Sequence, residues 1–426
     1  MTAWRRGGVA ARRVGGAAGG RRGGWAAGSS LGCVRAGIDG RAMAALSGGH
    51  FATDFASGAV PALIPFFVLE FDLSYTLTAV IMLAATVSSS VVQPLFGLWS
   101  DRRGAMWLLP AGVALAGAGT GLAAVAPSYA LVVALVFLAG VGIAAYHPEG
   151  AKFAAYASGR RRASGMSLFN IGGNTGYALG PIVVTPLVLW LGLAGGLLAM
   201  FPVLVAAVAL VRVLPYLRRL HPDESGRGTP AGCDDVPAMW ILGGVIVLRS
   251  VAWFGLLTFV PLWVVANGGT EGEGNRELSL MLLSGAVGTL VLGPVADRLG
   301  LRRTLTVTQL ALPPLIVAYV GLGGIAGTIC LMLVGLCVVG TFGLTMVLSQ
   351  LYLPRHVGLA SGLSVGLAMG LGGVAAVSLG ALADVVDLET ALYVGAAAPG
   401  LGALLCLLLP RPARAPAAVA VPASAS

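Results

Sequence analysis

Charge is scarce in this sequence. Only 10% of the 426 residues are Asp, Glu, Lys or Arg, and Lys152 is the only lysine. Because Lys152 does not follow a Gly-x-x-x-x-Gly pattern, the chain has no phosphate-binding loop of the ATP-driven pumps. A membrane-embedded enzyme would need catalytic His, Asp or Glu side chains gathered at one membrane face, and the chain offers too few.

Cysteine is also sparse, and its five copies show no close spacing of the kind that metal ligands require. Cys330 and Cys337 fall in one apolar run, where cysteine usually serves as a small buried hydrophobe. We therefore predict no disulfide, no metal site and no cofactor.

Long apolar runs, by contrast, fill most of the chain. The composition is 57% hydrophobic and the mean hydropathy is +0.90. A bilayer core needs roughly 20 apolar residues per helix. The sequence predicts an all-α membrane protein with twelve transmembrane helices. These are residues 44–68, 76–98, 106–126, 128–147, 164–186, 188–212, 238–266, 278–296, 304–325, 327–351, 358–383 and 389–410.

The basic residues between these spans are distributed unevenly. Alternate loops contain 14 Lys or Arg residues, whereas the other loops contain only Arg276. This bias predicts that both termini are cytoplasmic in a multi-pass protein of the cell membrane. It also argues that the net charge of +9 serves orientation and contact with lipid, and not nucleic-acid binding.

A short charged loop occurs twice. Gly97–Gly104 and Gly293–Gly300 keep Gly, Asp, Arg and Gly at matching offsets, 196 residues apart. Ala163–Ser167 recurs as Ala360–Ser364 at nearly the same offset. A repeat of half the chain length predicts a two-lobed secondary transporter.

The repeat and the composition together predict the domain boundaries. Residues 43–215 and 238–410 form two six-helix bundles, joined by a polar cytoplasmic linker at 216–237, and residues 411–426 form a disordered tail. Residues 1–42 are rich in Arg and Gly and are interpreted as a disordered tail. The alternatives for this tail are a targeting peptide and translation that starts at Met43.

The repeated Gly-x-x-x-Asp-Arg-x-Gly loop resembles the conserved loop of the major facilitator superfamily. The glycine run from Gly172 to Gly180, followed by Pro181, resembles the antiporter motif of that superfamily. A narrower resemblance, to the fosmidomycin resistance family of drug exporters, rests on five stretches. These are Gly49-His50-x-x-x-Asp54, Gln93-Pro94-x-x-Gly97-x-Trp99-x-Asp101, Tyr146-His147-Pro148-Glu149-Gly150, Ser167-Leu168-Phe169-Asn170-x-Gly172-Gly173-Asn174-x-Gly176 and the long run from Gln350 to Leu382.

The resemblance covers residues 44–410 and has two departures. The family tends to have Gln at the place of Asn170, and an acid at the place of Leu351. A coupling role for that acid therefore does not transfer. The resemblance implies a proton-coupled exporter of small polar or anionic drugs such as fosmidomycin-like compounds, acting by alternating access.

Three ionisable residues lie inside the predicted spans, where charge is costly and usually functional. His50 and Asp54 are one helical turn apart in the first span, and Arg249 lies at a similar depth in the seventh. We expect Asp54 and Arg249 to face each other across the substrate path, and a proton or an anion to break their pairing. The alternative is a permanent ion pair that holds the halves together.

Further candidates for the pathway follow from polarity. Asn170, Asn174 and Tyr177 form a stripe in the fifth span, opposite glycines that allow close helix approach. Gln93 and Trp253 are weaker candidates, and packing against a neighbouring helix is the alternative for all five.

A cytoplasmic gate is predicted at the ends of the spans. Asp101 and Asp297, placed near helix N-termini, would pair with Arg102 and Arg298 and release them as the lobes rock. The alternative is a charge cluster that sets only topology. His147 and Glu149 are placed at the same boundary, where Pro148 would end the fourth helix, Glu149 would pair with Lys152, and His147 would gate or relay protons.

The expected function is therefore a proton-coupled antiporter for small molecules, expected to be a monomer. The alternative on the same fold is an uptake symporter for a sugar or an organic acid, because fold alone does not separate the two.

Overall fold

The computed structural model describes residues 37–103, 105–159, 161–220 and 233–410. The second predicted tail, residues 1–36 of the first and most of the predicted linker lie outside these residues, and so do the side chains of Asp101 and Arg102. The predicted boundary of the first tail at residue 42 is wrong, because the first helix begins at Gly40 with Asp39 as its cap. The described part of the chain is all-helical. Its helices are α1 (Gly40–Phe71), α2 (Tyr75–Arg103), α3 (Leu108–Ala124), α4 (Tyr129–Ala157), α5 (Arg162–Leu191), α6 (Ala194–Ala199), α7 (Phe201–Leu217), α8 (Val236–Ala266), α9 (Glu271–Leu299), α10 (Leu301–Leu322), α11 (Gly324–Tyr352), α12 (Val357–Val385) and α13 (Leu388–Leu408).

The helices confirm the predicted class, a multi-pass α-helical membrane protein. Eleven segments of the described residues are long and apolar enough to cross a bilayer, and α3 is a shorter apolar helix of 17 residues. The predicted sixth span is divided into α6 and α7, which meet at Met200 and together form one crossing segment, Ala194–Leu217.

The repeat reappears in the way α1 and α8 begin. Asp39 and Asp235, also 196 residues apart, cap these helices by accepting the backbone N–H groups of Ala42 and Ala238. The amide of Asp39 donates to the carbonyl of Ala157 at the end of α4 (2.8 Å), and the amide of Asp235 donates to the corresponding end of α11 (2.7 Å). The α1/α4 pair therefore corresponds to the α8/α11 pair.

Helices α1–α7, here called the first half, pack mainly on one another, and so do α8–α13, the second half. The halves meet where α2 lies against α12 and α5 lies against α9. At one end of this contact, the Asp384 carboxylate at the end of α12 accepts the backbone N–H groups of Tyr75 (2.7 Å) and Thr76 (2.9 Å). Asp384 thus links the second half to the first at the N-terminus of α2, where the helix dipole favours an anion. We call this end of the contact the Asp384 end.

The contact between α1 and α5 depends on glycine. A Cβ atom on Gly176 would lie 2.1 Å from the Phe51 carbonyl oxygen, and one on Gly58 would lie 2.1 Å from the Tyr177 carbonyl oxygen. Either would force the two backbones apart. The expectation that the glycines of the fifth span allow close helix approach is confirmed, and this contact positions the site described below.

Two local expectations are wrong. Pro148 does not end α4, which continues to Ala157, because losing one N–H donor does not outweigh the packing of a long apolar helix. Asp297 lies in the last turn of α9 and not at a helix N-terminus. The helix extends further than hydropathy predicts because charged residues continue it beyond the apolar core.

Candidate functional site

Asp54 lies in the middle of α1 and contacts two histidines. His50, one turn earlier in α1, places its Nε2 atom 3.3 Å from Asp54 Oδ2. His147 of α4 places its Nε2 atom 3.3 Å from Asp54 Oδ1. Each carboxylate oxygen thus faces one imidazole. We call His50, Asp54 and His147 the triad.

Both imidazoles are oriented by backbone carbonyl groups. His50 Nδ1 donates to the carbonyl of Phe169 in α5 (2.9 Å), and His147 Nδ1 donates to the carbonyl of Ile143 in its own helix (2.8 Å). With Nδ1 as the donor, a neutral ring presents the lone pair of Nε2 to the carboxylate. Two lone pairs against a carboxylate repel each other, so the arrangement is favourable only when a cation, such as a proton on either ring, neutralises it.

Aromatic rings and one glycine complete the packing. The His50 ring stacks on Phe169, with ring centroids 4.1 Å apart. Tyr146 is fully buried beside His50 and donates its hydroxyl to the carbonyl of Leu46. A Cβ atom on Gly173 of α5 would lie 2.5 Å from His50 Nε2 and 2.6 Å from Asp54 Oδ2. Glycine at this position leaves the space in which the carboxylate and the ring meet.

The triad is buried on one side and accessible on the other. The His50 side chain is 8% exposed, whereas those of Asp54 and His147 are 18% and 24% exposed. The exposed surface of the triad thus belongs mainly to Asp54 and His147. Ionisable groups inside apolar spans with such access are typical of ion and substrate pathways.

Arg249 forms the corresponding charged contact of the second half. It is 1% exposed, and its Nη1 atom donates to Thr341 Oγ1 of α11 (3.0 Å). Its guanidinium carbon lies 4.2 Å from the ring centroid of Phe342, a cation–π contact. Arg249 Nε and Nη2 have no hydrogen-bond partner within the described residues. The guanidinium thus retains two donors for an anion or water.

The expected pairing of Asp54 with Arg249 is not found. Asp54 pairs with histidines of α1 and α4, and Arg249 contacts α11. Sequence symmetry predicts the matching depth of the two residues. It does not predict which way each side chain points, because each half buries its charge within its own equivalent helix pair.

Other predicted pathway residues lie where helix periodicity places them. Asn170 is exposed, and Asn174 and Tyr177 are half-buried on α5. Gln93 is half-buried on α2. Trp253 is buried and packs edge-on against the Phe342 ring, with centroids 6.3 Å apart. Their part in transport stays a prediction.

The predicted gate residues separate into distinct environments. Asp297 and Arg298 are exposed and form no salt bridge with the described residues. Glu149 pairs with Lys152 at 2.7 Å as expected, and its side chain is fully buried. His147 belongs to the triad, since α4 continues past Pro148 and its turn directs the ring toward α1.

A second His–Asp pair lies at the start of α8, outside the membrane-spanning segments. Asp234 accepts the backbone N–H of Arg355 (3.0 Å) and the His356 Nδ1–H group (2.6 Å). Desolvation raises the pKa of Asp234, but these hydrogen bonds and the nearby positive charge outweigh it and hold the pKa below its ordinary value. This pair ties the segment before α8 to the segment before α12.

Sequence reasoning missed the residues that shape the triad. Tyr146, Phe169 and Gly173 all lie in the quoted motifs, yet no role follows from the motifs alone. The sequence signal that could have pointed to the site was the presence of three motifs together: one with His50 and Asp54, one with His147, and one with Gly172-Gly173. Their meeting depends on α1 packing between α4 and α5.

Comparison with known proteins gives consistent matches along the chain. The sequence model of the Major Facilitator Superfamily matches residues 46–377. The chain is 31% identical over 375 residues to "Uncharacterized MFS-type transporter YfnC" of Bacillus subtilis (strain 168), covering 85% of this chain and 90% of that protein. It is 27% identical over 378 residues to the fosmidomycin resistance protein of Escherichia coli (strain K12), covering 86% and 92%.

Solved structures share the fold. A bacterial homologue of the human lysosomal transporter Spinster superimposes with a TM-score of 0.72 at 14% identity, covering 87% of this chain and 96% of that one. The nucleoside transporter NupG superimposes with a TM-score of 0.69 at 12% identity, covering 86% and 99%.

Proposed function

The chain belongs to the major facilitator superfamily, whose members are transporters and not enzymes, and from this premise we propose that it is a proton-coupled exporter of small anionic compounds. The observation that carries the proposal is the triad. Asp54 accepts contacts from two imidazoles inside the span region, and it is reachable from one side. Such a group can hold a proton during one half of the transport cycle and release it in the other.

The substrate class is argued from Arg249. A buried guanidinium with two donors that lack protein partners is suited to a carboxylate, phosphate or phosphonate. One of the relatives is a fosmidomycin resistance protein, which supports the export of an anionic drug or a metabolite of similar charge.

Alternating access is supported by the contacts between the halves. They are tied at the Asp384 end, and further along α2 Ser89 Oγ lies 3.8 Å from Met369 Sδ of α12. Beyond Ser89, the side chains of Leu95 and Trp99 on α2 are 61% and 40% exposed. With the predicted orientation, these contacts support a state that is closed to the outside, and in such a state an exporter would load its substrate from the cytoplasm.

Transport assays with inside-out proteoliposomes and a pH-sensitive dye test the proposal. We expect phosphonates or carboxylates to evoke proton movement, and neutral sugars and lipophilic cations to evoke none. Proton movement evoked only by neutral sugars would refute export of anions and favour the uptake symporter instead. The panel therefore separates the two functions in one experiment.

Two variants locate the coupling. Asp54→Asn should lose proton-driven accumulation but retain exchange of substrate for substrate, because an amide keeps the shape and loses the exchangeable charge. Arg249→Gln should lose both for anions, because it removes the guanidinium donors. His356→Asn changes a histidine remote from the triad and should behave as the wild type. Proton-driven export by Asp54→Asn at the wild-type rate would contradict the assignment.

A further inference from the structure

We propose that the triad binds one divalent transition-metal ion of the zinc class, with His50 Nε2, His147 Nε2 and the Asp54 carboxylate as its ligands. The inference rests on the proposed function only in that the metal would occupy the atoms assigned there to the proton. The donor set follows from the structure, since the ligand atoms of the three residues lie within 4.8 Å of one another.

The distances fit a shared metal better than direct hydrogen bonds. A charge-assisted N–H···O bond is about 2.7–2.9 Å long, whereas both Nε2–oxygen separations are 3.3 Å. Two ligands that are each about 2.0–2.1 Å from a tetrahedral zinc ion are roughly 3.3 Å apart. Each separation therefore has the length of an edge of a zinc coordination tetrahedron. Because the two imidazoles face different oxygens, the carboxylate would present both of its oxygens to the ion.

The imidazoles are also held in the form that metals require. A metal-bound histidine typically donates its other ring N–H to a carbonyl or a carboxylate, which fixes the tautomer. His50 donates in this way to Phe169 and His147 to Ile143, each from Nδ1. Both Nε2 lone pairs are thereby directed at the same carboxylate before any metal arrives.

Three protein ligands leave one position of a tetrahedral ion open. The exposure of Asp54 and His147 places this position on the accessible side of the triad. Water or a transported anion would complete the coordination there. Because bound metal excludes a proton from the same atoms, zinc should inhibit proton-driven export.

The direct test is metal binding by the full-length transporter, purified through an affinity tag that contains no histidine. Titration with Co²⁺ is followed by the visible absorption bands of tetrahedral cobalt, and Zn²⁺ is added in competition. We expect one site per chain with tetrahedral bands, and displacement by zinc. His147→Ala and His50→Ala should weaken binding by at least about 100-fold.

Two matched variants guard against a folding artefact. His356→Ala removes a histidine outside the triad and should bind cobalt as the wild type does. His147→Cys supplies another zinc-type ligand, so it should recover binding that His147→Ala loses, with a shift to thiolate–cobalt absorption. A site that only needs a well-packed helix would not show this change of spectrum.

The proposal is overturned if the wild type binds no cobalt, if His50→Ala and His147→Ala bind as tightly as the wild type, or if His356→Ala loses binding equally. Binding is measured without transport, so its failure is separable from failure of the proposed function. Cobalt bands without anion-driven proton movement would support the metal site and refute the exporter. Proton-coupled export without cobalt binding would do the reverse.

Discussion

Replacing Gly173 by alanine is the smallest change that should stop the triad from forming. The added Cβ atom would lie 2.5 Å from both Cε1 and Nε2 of His50, and 2.6 Å from Asp54 Oδ2. The Gly173 backbone belongs to α5, which packs closely along α1, so the helix cannot withdraw easily. The ring and the carboxylate must move instead.

The size of the effect follows from the distances. Ordinary van der Waals contact begins near 3.4 Å, so His50 must move by about 1 Å to accommodate the methyl group. A displacement of about 1 Å in a functional group costs on the order of 100-fold in rate. Overpacking itself should destabilise the fold by about 1–3 kcal/mol, which a protein of this size tolerates.

The assay is proton-driven transport in proteoliposomes, with the amount of inserted protein measured in parallel. We expect Gly173→Ala to insert normally and to transport about 100-fold more slowly. Gly343→Ala is the matched control, since a Cβ atom there meets nothing within 4 Å. Gly176→Ala is the contrasting variant, because its Cβ atom would meet the backbone of Phe51 and should reduce folding itself.

Wild-type transport by Gly173→Ala would refute the reasoning, because it would mean that the contact of His50 with Asp54 is dispensable. Loss of transport accompanied by loss of inserted protein would also contradict it. In that case the glycine would serve helix packing alone, as Gly176 does.

Three further predictions concern contacts outside the triad. Asp384→Ala should lower the free energy of separating the two halves at the N-terminus of α2 by about 1–2 kcal/mol, which is a shift of roughly 5- to 30-fold in the equilibrium. This shift is measured as faster maleimide labelling of a Ser89→Cys reporter. Unchanged labelling would show that the Asp384 hydrogen bonds do not hold the halves together. Lys152→Met should lower stability in detergent by about 1–3 kcal/mol, because it removes the ammonium group that contacts the buried Glu149 carboxylate, and adding Glu149→Met should recover part of the loss. The Thr390 amide lowers the pKa of Asp387 below its ordinary value of 3.8. The stabilisation by the ionised Asp387 carboxylate is therefore complete above its unfolded pKa and is lost as pH falls through its lower folded pKa. Asp387→Asn should make the melting temperature depend less on pH in the acid range. An unchanged pH dependence would show that the Asp387 cap contributes nothing to stability.

Much of the architecture was predictable because it depends on local composition. Apolar length predicts the crossing helices, since a span needs a minimum of apolar residues whatever its neighbours are. Errors occur where helices extend past the apolar core, at Pro148 and Asp297, because backbone hydrogen bonding continues where hydropathy stops.

The candidate site was only partly predictable. His50 and Asp54 were expected to share a helix face because four residues make about one turn, and the structure confirms it. His147 was predicted to lie at a gate and not beside Asp54. This contact could not be predicted from the sequence, because it depends on how α4 packs against α1. The direction of Arg249 was wrong for the same reason.

The sequence alone determined that this chain forms membrane-spanning helices, that it repeats itself, and that a few charges lie where charge is costly. Those properties follow from the composition of single segments and their spacing. Only the tertiary structure decided which charges meet. Close packing of α1 on α5 through glycines, and of α4 beside them, places two imidazoles on one carboxylate. Contacts between residues of different helices depend on helix rotation and approach, which no single segment encodes.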